Sequence, residues 1–124
     1  MMNRFVLSIG SNTADKTERL NHAGKWLADS FSEVICSEIY TSAPVSGIGP
    51  DYANMVAEVS ADVDAAQMAS LAKEYERQCG RTPDSKVRGC VPIDVDVVMC
   101  NGIILRPAEY SRAYFRRGFD AICQ

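Results

Sequence analysis

The most informative segment of the chain is residues 93–105, which read Ile93-Asp94-Val95-Asp96-Val97-Val98-Met99-Cys100-Asn101-Gly102-Ile103-Ile104-Leu105. Ile93, Val95 and Val97 alternate with Asp94 and Asp96, and these β-branched residues predict a β-strand over Ile93–Met99. Asn101-Gly102 is the dipeptide most typical of a tight hairpin turn. Ile103–Leu105 is then the return strand, so the segment predicts a C-terminal β-hairpin.

Upstream of this hairpin the sequence alternates between strand and helix patterns. Strands are predicted at Arg4–Ile9, Glu33–Tyr40 and Asn54–Ser60, where β-branched and aromatic residues are concentrated. Helices are predicted from Asp15 to about Ser30 and from about Asp64 to Gln78, because apolar residues recur there at three- and four-residue spacing. Beyond Pro107 no regular pattern is recognised.

The order of these elements is β-α-β-β-α-β plus a hairpin. It predicts an α+β protein with a ferredoxin-like βαββαβ antiparallel sheet that carries its helices on one face. A chain of 124 residues is enough for one domain, predicted to span residues 1–124. Metal chaperones, regulatory ligand modules, RNA binders and transferases all use this layout, so the fold alone does not give the function.

Composition narrows the choice of partners and compartment. Thirteen Lys and Arg against sixteen Asp and Glu give a net charge of −3, which provides no general attraction for nucleic acid or an anionic membrane. No segment approaches the roughly 18 apolar residues of a membrane helix. The five cysteines are odd in number and contain no C-x-x-C pair, as is typical of a reduced cytoplasmic protein.

Asp94 and Asp96 are the clearest candidates for chemistry. Two residues apart on one strand, both side chains leave the same face, with about 6.5 to 7 Å between their α-carbons. Two neighbouring carboxylates repel each other and are costly to desolvate, and a divalent cation such as Mg²⁺ would compensate them. The alternative is a solvated face of an antiparallel sheet.

Basic residues flank this pair on both sides. Arg81, Lys86 and Arg88 fall within eight positions of the loop between Gly80 and Pro92. Four more arginines follow the hairpin: Arg106, Arg112, Arg116 and Arg117. In an acidic protein these clusters favour a metal-phosphate site, because arginine binds phosphoryl oxygens in a forked geometry. Solvated loop charge is the alternative.

Three further side chains are weaker candidates. Tyr52 and Asn54, two residues apart, suit a flat heterocycle, which the aromatic ring would stack on and the carboxamide would hydrogen-bond. Core or rim packing explains them equally well. Glu76, near the end of the second helix, either accepts a hydrogen bond from a ribose hydroxyl or faces water.

Taken together, five segments resemble the 6-hydroxymethyl-7,8-dihydropterin pyrophosphokinase family over nearly the whole chain. They are Leu7-Ser8-Ile9-Gly10-Ser11-Asn12, Ser37-Glu38-Ile39-Tyr40-Thr41-Ser42-Ala43-Pro44, Asp51-Tyr52-Ala53-Asn54, Glu76-Arg77-Gln78-Cys79-Gly80-Arg81 and Ile93-Asp94-Val95-Asp96. The resemblance implies a ferredoxin-like transferase of folate synthesis that moves pyrophosphate from ATP to a pterin alcohol and releases AMP. Its partners would be ATP and a pterin. Independently of the resemblance, we expect a monomer or a weak dimer, since the exposed edge of a short sheet can pair between subunits.

The resemblance also implies roles for individual residues. The carboxylates that hold two Mg²⁺ ions would be Asp94 and Asp96, which with Arg81 and Arg88 make up the expected catalytic set. The residues expected to bind the pterin are Ser42, Pro44, Tyr52, Asn54 and Phe119, the last closing the stack opposite Tyr52. The residues expected to bind ATP are Lys73, Glu76, Arg81 and Arg117.

The segment before the D-x-D element departs from the family pattern. Family members usually read Arg-Trp-Gly-Pro-Arg-Thr there, whereas this chain reads Val87-Arg88-Gly89-Cys90-Val91-Pro92. Arg88 replaces the tryptophan and Val91 replaces the second catalytic arginine, so Arg88 becomes the candidate for the lost charge. The Pro-His segment that usually follows the hairpin is not recognisable.

These departures keep two other functions open. One is a catalytically impaired paralogue that binds a pterin-like or nucleotide ligand, because Val91 cannot neutralise charge. The other is a ferredoxin-like regulatory or metal-binding module, which the absence of C-x-x-C disfavours for copper or zinc delivery.

Overall fold

A computed structural model describes residues 2–123, which contain six strands and four helices. The strands are β1 (Asn3–Ser11), β2 (Glu33–Cys36), β3 (Tyr40–Ser42), β4 (Tyr52–Ala61), β5 (Asp94–Cys100) and β6 (Ile103–Ile104). The helices are α1 (Lys16–Ser30), α2 (Ala65–Gln78), α3 (Pro107–Tyr110) and α4 (Ala113–Ile122). The predicted α+β class is confirmed.

One antiparallel sheet contains all six strands, in the order β2-β4-β1-β5-β6, with β3 also paired to β4. The register across the three longest strands determines which residues become neighbours. Gly10 lies between Asn54 and Asp94, and Ser8 lies between Val56 and Asp96. These two rows bring the polar residues of three strands together at one end of the sheet.

The two faces of the sheet are covered by different helices. On one face α1 and α2 pack on a core that includes Phe5, Leu7 and Ile9 of β1. On the other face Phe115 of α4 packs against Val6, Val56 and Val98. The placement of helices on one face therefore holds for the two helices that the sequence predicted. It is wrong for α4, which covers the opposite face.

Helix α2 begins at a capping box that the sequence contains. The Asp64 carboxylate accepts the Gln67 N–H at 2.8 Å, and the Gln67 side-chain oxygen accepts the Asp64 N–H at 2.8 Å. Because both groups would otherwise lack partners at the helix start, the pair fixes where α2 begins.

The predicted strand over Glu33–Tyr40 is wrong in one respect, because the structure divides it into β2 and β3. Ser37 interrupts it by using its side chain in the ladder. The Ser37 hydroxyl accepts the Val56 N–H at 2.9 Å and donates to the Glu38 carbonyl at 2.8 Å. A side chain thus replaces one backbone partner, and regular pairing resumes only at Tyr40.

The hairpin turn has the backbone that its dipeptide favours. Asn101 has φ of 52° and Gly102 has φ of 80°, the left-handed region that a tight hairpin turn requires at both positions. After two residues of β6 the chain forms α3 and α4, where the sequence predicted no regular structure. No helix within residues 2–123 is both long enough and apolar enough to cross a membrane.

Candidate active site

A cavity of about 350 Å³ lies on the α4 side of the sheet, beside the N-terminal end of that helix. Its floor is the two rows of residues around Gly10 and Ser8. One wall comes from β3, β4 and the loop that joins them, a second from α2 and the loop after it, and a third from α3 and the start of α4. The cavity therefore receives side chains from nearly every part of the chain.

Asp94 and Asp96 both line this cavity, whereas the intervening Val95 is 2% exposed in the opposite core. This is the alternation that a strand imposes. Asp96 is itself only 8% exposed. Burial, followed by the negative charges of Asp94 and Glu109, raises the pKa of Asp96 to about 7. The nearest cation, Arg106, has its guanidinium 3.7 Å from the Asp96 carboxylate and only partly offsets this effect.

Arg81 ties the loop after α2 to the start of β5. Its Nη1 donates to the Asp94 carboxylate at 2.7 Å and to the Ile93 carbonyl at 3.1 Å. The same atom lies 3.3 Å from Glu76 Oε2. Arg81 is therefore held beside the carboxylate pair, with its side chain 18% exposed to solvent.

Glu76 does not face water, so the solvated interpretation of this residue is wrong. It is 4% exposed, and its Oε2 accepts the Val95 backbone N–H at 2.8 Å. Its other oxygen lies 3.5 Å from Lys73 Nζ. The inward face of α2 packs on β5, and the carboxylate there satisfies a strand N–H and holds Arg81.

Ser42, Tyr52 and Asn54 meet at the other end of the cavity. The Asn54 amide donates to the Ser42 hydroxyl at 2.8 Å, and Asn54 is 5% exposed. Burial, with a smaller contribution from Asp94, raises the pKa of Tyr52. A Cβ at Gly10 would lie 3.4 Å from Asn54 Oδ1 and 3.5 Å from Tyr52 Cδ2, so the glycine keeps the floor between these groups open.

Pro44 lies between two residues that line the cavity, Ala43 and Val45. Its carbonyl accepts the Gly47 N–H at 2.9 Å and so closes a turn in the loop between β3 and β4. Its side chain is not part of the cavity wall in the described structure.

Phe119 and Arg117 are not brought to this cavity, contrary to the expectation that Phe119 lies opposite Tyr52. The centre of the Phe119 ring lies 5.5 Å from the centre of the Phe115 ring and 5.8 Å from that of Tyr110. The Arg117 guanidinium lies 4.7 Å from the centre of the Tyr40 ring. Helix α4 is instead held against β3 at Gly118, whose N–H donates to the Tyr40 hydroxyl at 3.1 Å.

Arg88 does not enter the cavity either, so it does not replace the missing charge by the expected loop path. Its side chain is 72% exposed and its guanidinium lies 3.6 Å from the Asp84 carboxylate, four residues earlier. Val91, at the position of the family's second arginine, is 2% exposed. Its N–H donates to Asn12 Oδ1 at 2.6 Å and its carbonyl accepts the Asn12 N–H at 3.1 Å.

The sequence missed the third wall of the cavity. Glu109 and Tyr114 line it together with Arg106 and Arg112. Glu109 accepts the Ser8 hydroxyl at 3.0 Å and the Tyr114 hydroxyl at 2.8 Å. The two arginines belong to the basic cluster that the sequence predicted beside the aspartates, whereas nothing in the pattern placed Glu109 or Tyr114 there.

The carboxylate pair fits Mg²⁺ bound together with a phosphate ligand. Asp96 is buried, and that burial, followed by the charges of Asp94 and Glu109 that Arg106 does not fully balance, raises its pKa. Among the described residues, no group of three or more His, Cys, Asp or Glu forms a complete metal cage. Mg²⁺ usually takes one or two carboxylates and completes its shell with water and substrate phosphates. Asp94 and Asp96 would hold it.

Comparison with known proteins identifies the family of the chain. The sequence model of the 7,8-dihydro-6-hydroxymethylpterin-pyrophosphokinase family matches residues 6–123. The chain belongs to this pyrophosphokinase family. The match covers all three walls of the cavity, including the α3 and α4 region that has no recognisable family motif.

Curated members of the pyrophosphokinase family are also similar to the chain. Proteins named 2-amino-4-hydroxy-6-hydroxymethyldihydropteridine pyrophosphokinase from Mycobacterium bovis and from two strains of Mycobacterium tuberculosis are 30% identical to it over 101 residues. The aligned region is 80% of this chain and 52% of each relative. The chain thus spans about half the length of the curated relatives it matches.

Proposed function

We propose that this protein transfers pyrophosphate from ATP to 6-hydroxymethyl-7,8-dihydropterin in folate biosynthesis and releases AMP. One observation carries the proposal: a single cavity joins the Asp94 and Asp96 carboxylates, with Arg81 beside them, to a recess lined by an aromatic ring and a carboxamide. Membership of the pyrophosphokinase family supports the proposal that ATP binds at the carboxylate end of the cavity and the pterin in the recess.

The recess suits the acceptor. The pterin ring would lie over Gly10, with one face on Tyr52 and its polar edge on Asn54. Because Ser42 already receives one Asn54 N–H at 2.8 Å, the carboxamide is fixed in orientation before the ligand arrives. A preorganised group loses less conformational entropy on binding.

The carboxylate end suits the ATP phosphates. Asp94 and Asp96 would hold two Mg²⁺ ions, which when bound neutralise the charge of the phosphates. Arg81, 2.7 Å from Asp94, would remain close enough to contact a phosphoryl oxygen. Lys73 lines the same side of the cavity. Glu76 would act by holding Arg81 rather than by direct contact with the nucleotide.

In the proposed reaction the hydroxymethyl oxygen of the pterin forms a bond to the β-phosphorus of ATP. The bond from that phosphorus to the oxygen bridging the α- and β-phosphates breaks, AMP departs with the bridging oxygen, and the hydroxyl proton passes to water. Asn54 lies across Gly10 from Asp94, so acceptor and phosphates would meet above that glycine. Positioning and electrostatic stabilisation would provide most of the acceleration.

A second candidate is binding of the same ligands without efficient transfer. It is favoured by the position of Val91, which is 2% exposed and locked to Asn12, and by the outward direction of Arg88. An arginine introduced at Val91 would have to leave the core to reach the cavity. The two candidates therefore differ in turnover and agree in ligand binding.

Further features of the protein belong to the same proposal. A ferredoxin-like βαββαβ fold is supported by the order β2-β4-β1-β5 with α1 and α2 on one face, and a C-terminal hairpin by the β5–β6 pairing.

We propose one domain over residues 1–124, acting in the cytoplasm, where the five unpaired cysteines would stay reduced. We propose a monomer or weak dimer, with β2 the edge strand that could pair.

The test is AMP formation from ATP and MgCl₂, with and without the pterin alcohol. Wild-type protein is expected to form AMP only with the pterin. Asp94→Asn and Asp96→Asn are expected to lose at least about a hundredfold of that rate, since each removes a carboxylate that would hold the Mg²⁺ ions. Arg77→Ala, on the outward face of α2, serves as the control. If AMP formation persists in both aspartate variants, the reaction does not take place at this carboxylate pair.

A further inference from the structure

Five cationic side chains and three carboxylates line the cavity. The carboxylates are Asp94, Asp96 and Glu109. The cations are Lys73, Arg81, Lys86, Arg106 and Arg112. The wall therefore carries an excess of positive charge, although the whole chain has a net charge of −3.

Three of the five cations already have carboxylate partners. Arg81 is held by Asp94 at 2.7 Å, Arg106 lies 3.7 Å from Asp96, and Lys73 lies 3.5 Å from Glu76. These cations would be shared with the protein's own acidic groups in any complex. They are consequently only partly available to an anionic ligand.

Lys86 and Arg112 differ from the other three. Within residues 2–123 neither side chain forms an ion pair or a hydrogen bond, and both are exposed at the cavity wall. Lys86 comes from the loop after α2, whereas Arg112 is the residue immediately before α4. Because neither cation is shared with a carboxylate of the protein, both are available to an anionic ligand that enters the cavity.

We propose that Lys86 and Arg112 are the free phosphate-binding cations of this site. This proposal rests on the proposed function, because it takes the nucleotide triphosphate as the ligand of the carboxylate end. Arg112 would contact phosphoryl oxygens through its planar fork, and Lys86 would act as a mobile point charge. The two residues supply the charge that Arg88 and the buried Val91 do not bring to the cavity.

The experiment measures equilibrium binding of a non-hydrolysable ATP analogue in MgCl₂ by calorimetry. The variants are Lys86→Ala, Arg112→Ala and the double change, with Arg77→Ala as a control that also removes one positive charge. We expect each single change to weaken binding about tenfold or more, and the double change about a hundredfold, from the loss of charge-assisted hydrogen bonds. Binding of adenosine, which has no phosphates, should not change.

Unchanged affinity in both single variants would overturn the proposal, as would an effect of the same size in Arg77→Ala. A loss seen in Arg88→Ala but not in Arg112→Ala would overturn it in favour of the loop arginine. Because both side chains are exposed, the unfolding midpoint of each variant should equal that of the wild type.

The result is separable from the outcome of the AMP assay. Analogue binding that depends on Lys86 and Arg112, in a protein that forms no pterin-dependent AMP, would uphold this proposal and refute the proposed transfer. Failure of the wild-type protein to bind the analogue at all would overturn both.

Discussion

Among the side chains of β5, Asp96 is the one whose pKa folding changes most clearly. Burial, followed by the negative charges of Asp94 and Glu109 that Arg106 only partly opposes, raises its pKa to about 7. The same group would hold a cation once phosphates are bound. In the ligand-free protein its charge is consequently destabilising, and that cost has a pH dependence that can be measured.

The sign follows from proton linkage. Below about pH 4 Asp96 is protonated in both the folded and unfolded chain and contributes nothing. Between about pH 4 and pH 7 the unfolded chain loses this proton while the folded chain keeps it, so the free energy of unfolding falls as pH rises, by up to about 1.4 kcal/mol per pH unit. Above about pH 7 this contribution becomes constant.

Asp96→Asn should therefore be more stable than wild type at pH 8 in the absence of ligand, and the difference should shrink towards pH 5. Urea unfolding of both proteins at several pH values measures this. Asp29→Asn, at an exposed position of α1, is the control for removal of one carboxylate. A stability difference that does not vary with pH would contradict the assigned environment of Asp96.

At the scale of elements, two contacts hold the walls of the cavity in place. One is the docking of α4 through Gly118. A Cβ at this position would lie 2.6 Å from both the Tyr40 hydroxyl and Val56 Cγ2. The helix can approach the sheet this closely only because residue 118 has no side chain.

We expect Gly118→Ala to destabilise the protein by about 1 to 3 kcal/mol, through overpacking and displacement of α4. Gly24→Ala is the matched control, because a Cβ there meets nothing closer than 3.8 Å and alanine favours the helix by roughly 0.5 to 1 kcal/mol. Denaturant unfolding of the two variants should give shifts of opposite sign. Equal shifts would argue against close packing at Gly118.

The second contact joins the end of β1 to the loop before β5. Asn12 accepts the Val91 N–H at 2.6 Å and donates to the Gly89 carbonyl at 2.9 Å, and it is 4% exposed. Loss of its side chain would leave a buried N–H without this partner, which costs about 1 to 3 kcal/mol. The loop that carries Lys86 would then be less firmly held.

Asn12→Ala is expected to accelerate tryptic cleavage after Lys86 and Arg88, as followed by mass spectrometry of the fragments. Asn3→Ala removes a 2.8 Å hydrogen bond to Val63 at the other end of β1 and controls for general weakening of the strand. If both variants are cleaved in the loop at the same rate, Asn12 does not hold the loop specifically.

At the scale of the whole molecule, the sequence predicted the elements whose patterns are local. The Ile93–Met99 alternation and the Asn101-Gly102 turn are encoded in consecutive residues, and both match β5 and its turn in the structure within one residue. Helix α4 was missed although Phe115, Phe119 and Ile122 recur at four- and three-residue spacing, so a local helical signal was present in the sequence. The split of the second strand depends on one Ser37 hydroxyl, which periodicity cannot detect.

The residues of the candidate site also fall into two groups, those that local pattern predicted and those that it did not. Asp94 and Asp96 lie on one strand and Tyr52 and Asn54 on another, so alternation predicted that the members of each pair would be neighbours on one face. The directions of Arg88, Phe119 and Glu109 depend on loops and on the docking of α4, and sequence spacing gave no information about them. Glu76 was misjudged because a charged residue late in a helix usually faces water, whereas here a strand N–H and Arg81 compensate its burial.

The central claim is that this cavity directs the pterin hydroxyl to the β-phosphorus of ATP. The most direct measurement follows ATP labelled in its β-phosphate during incubation with MgCl₂ and 6-hydroxymethyl-7,8-dihydropterin, with products separated by chromatography. We predict that the label moves to the pterin as AMP forms in equal amount. Label that remains in ADP, or that appears as free pyrophosphate whether or not pterin is present, would contradict pyrophosphate transfer by this protein.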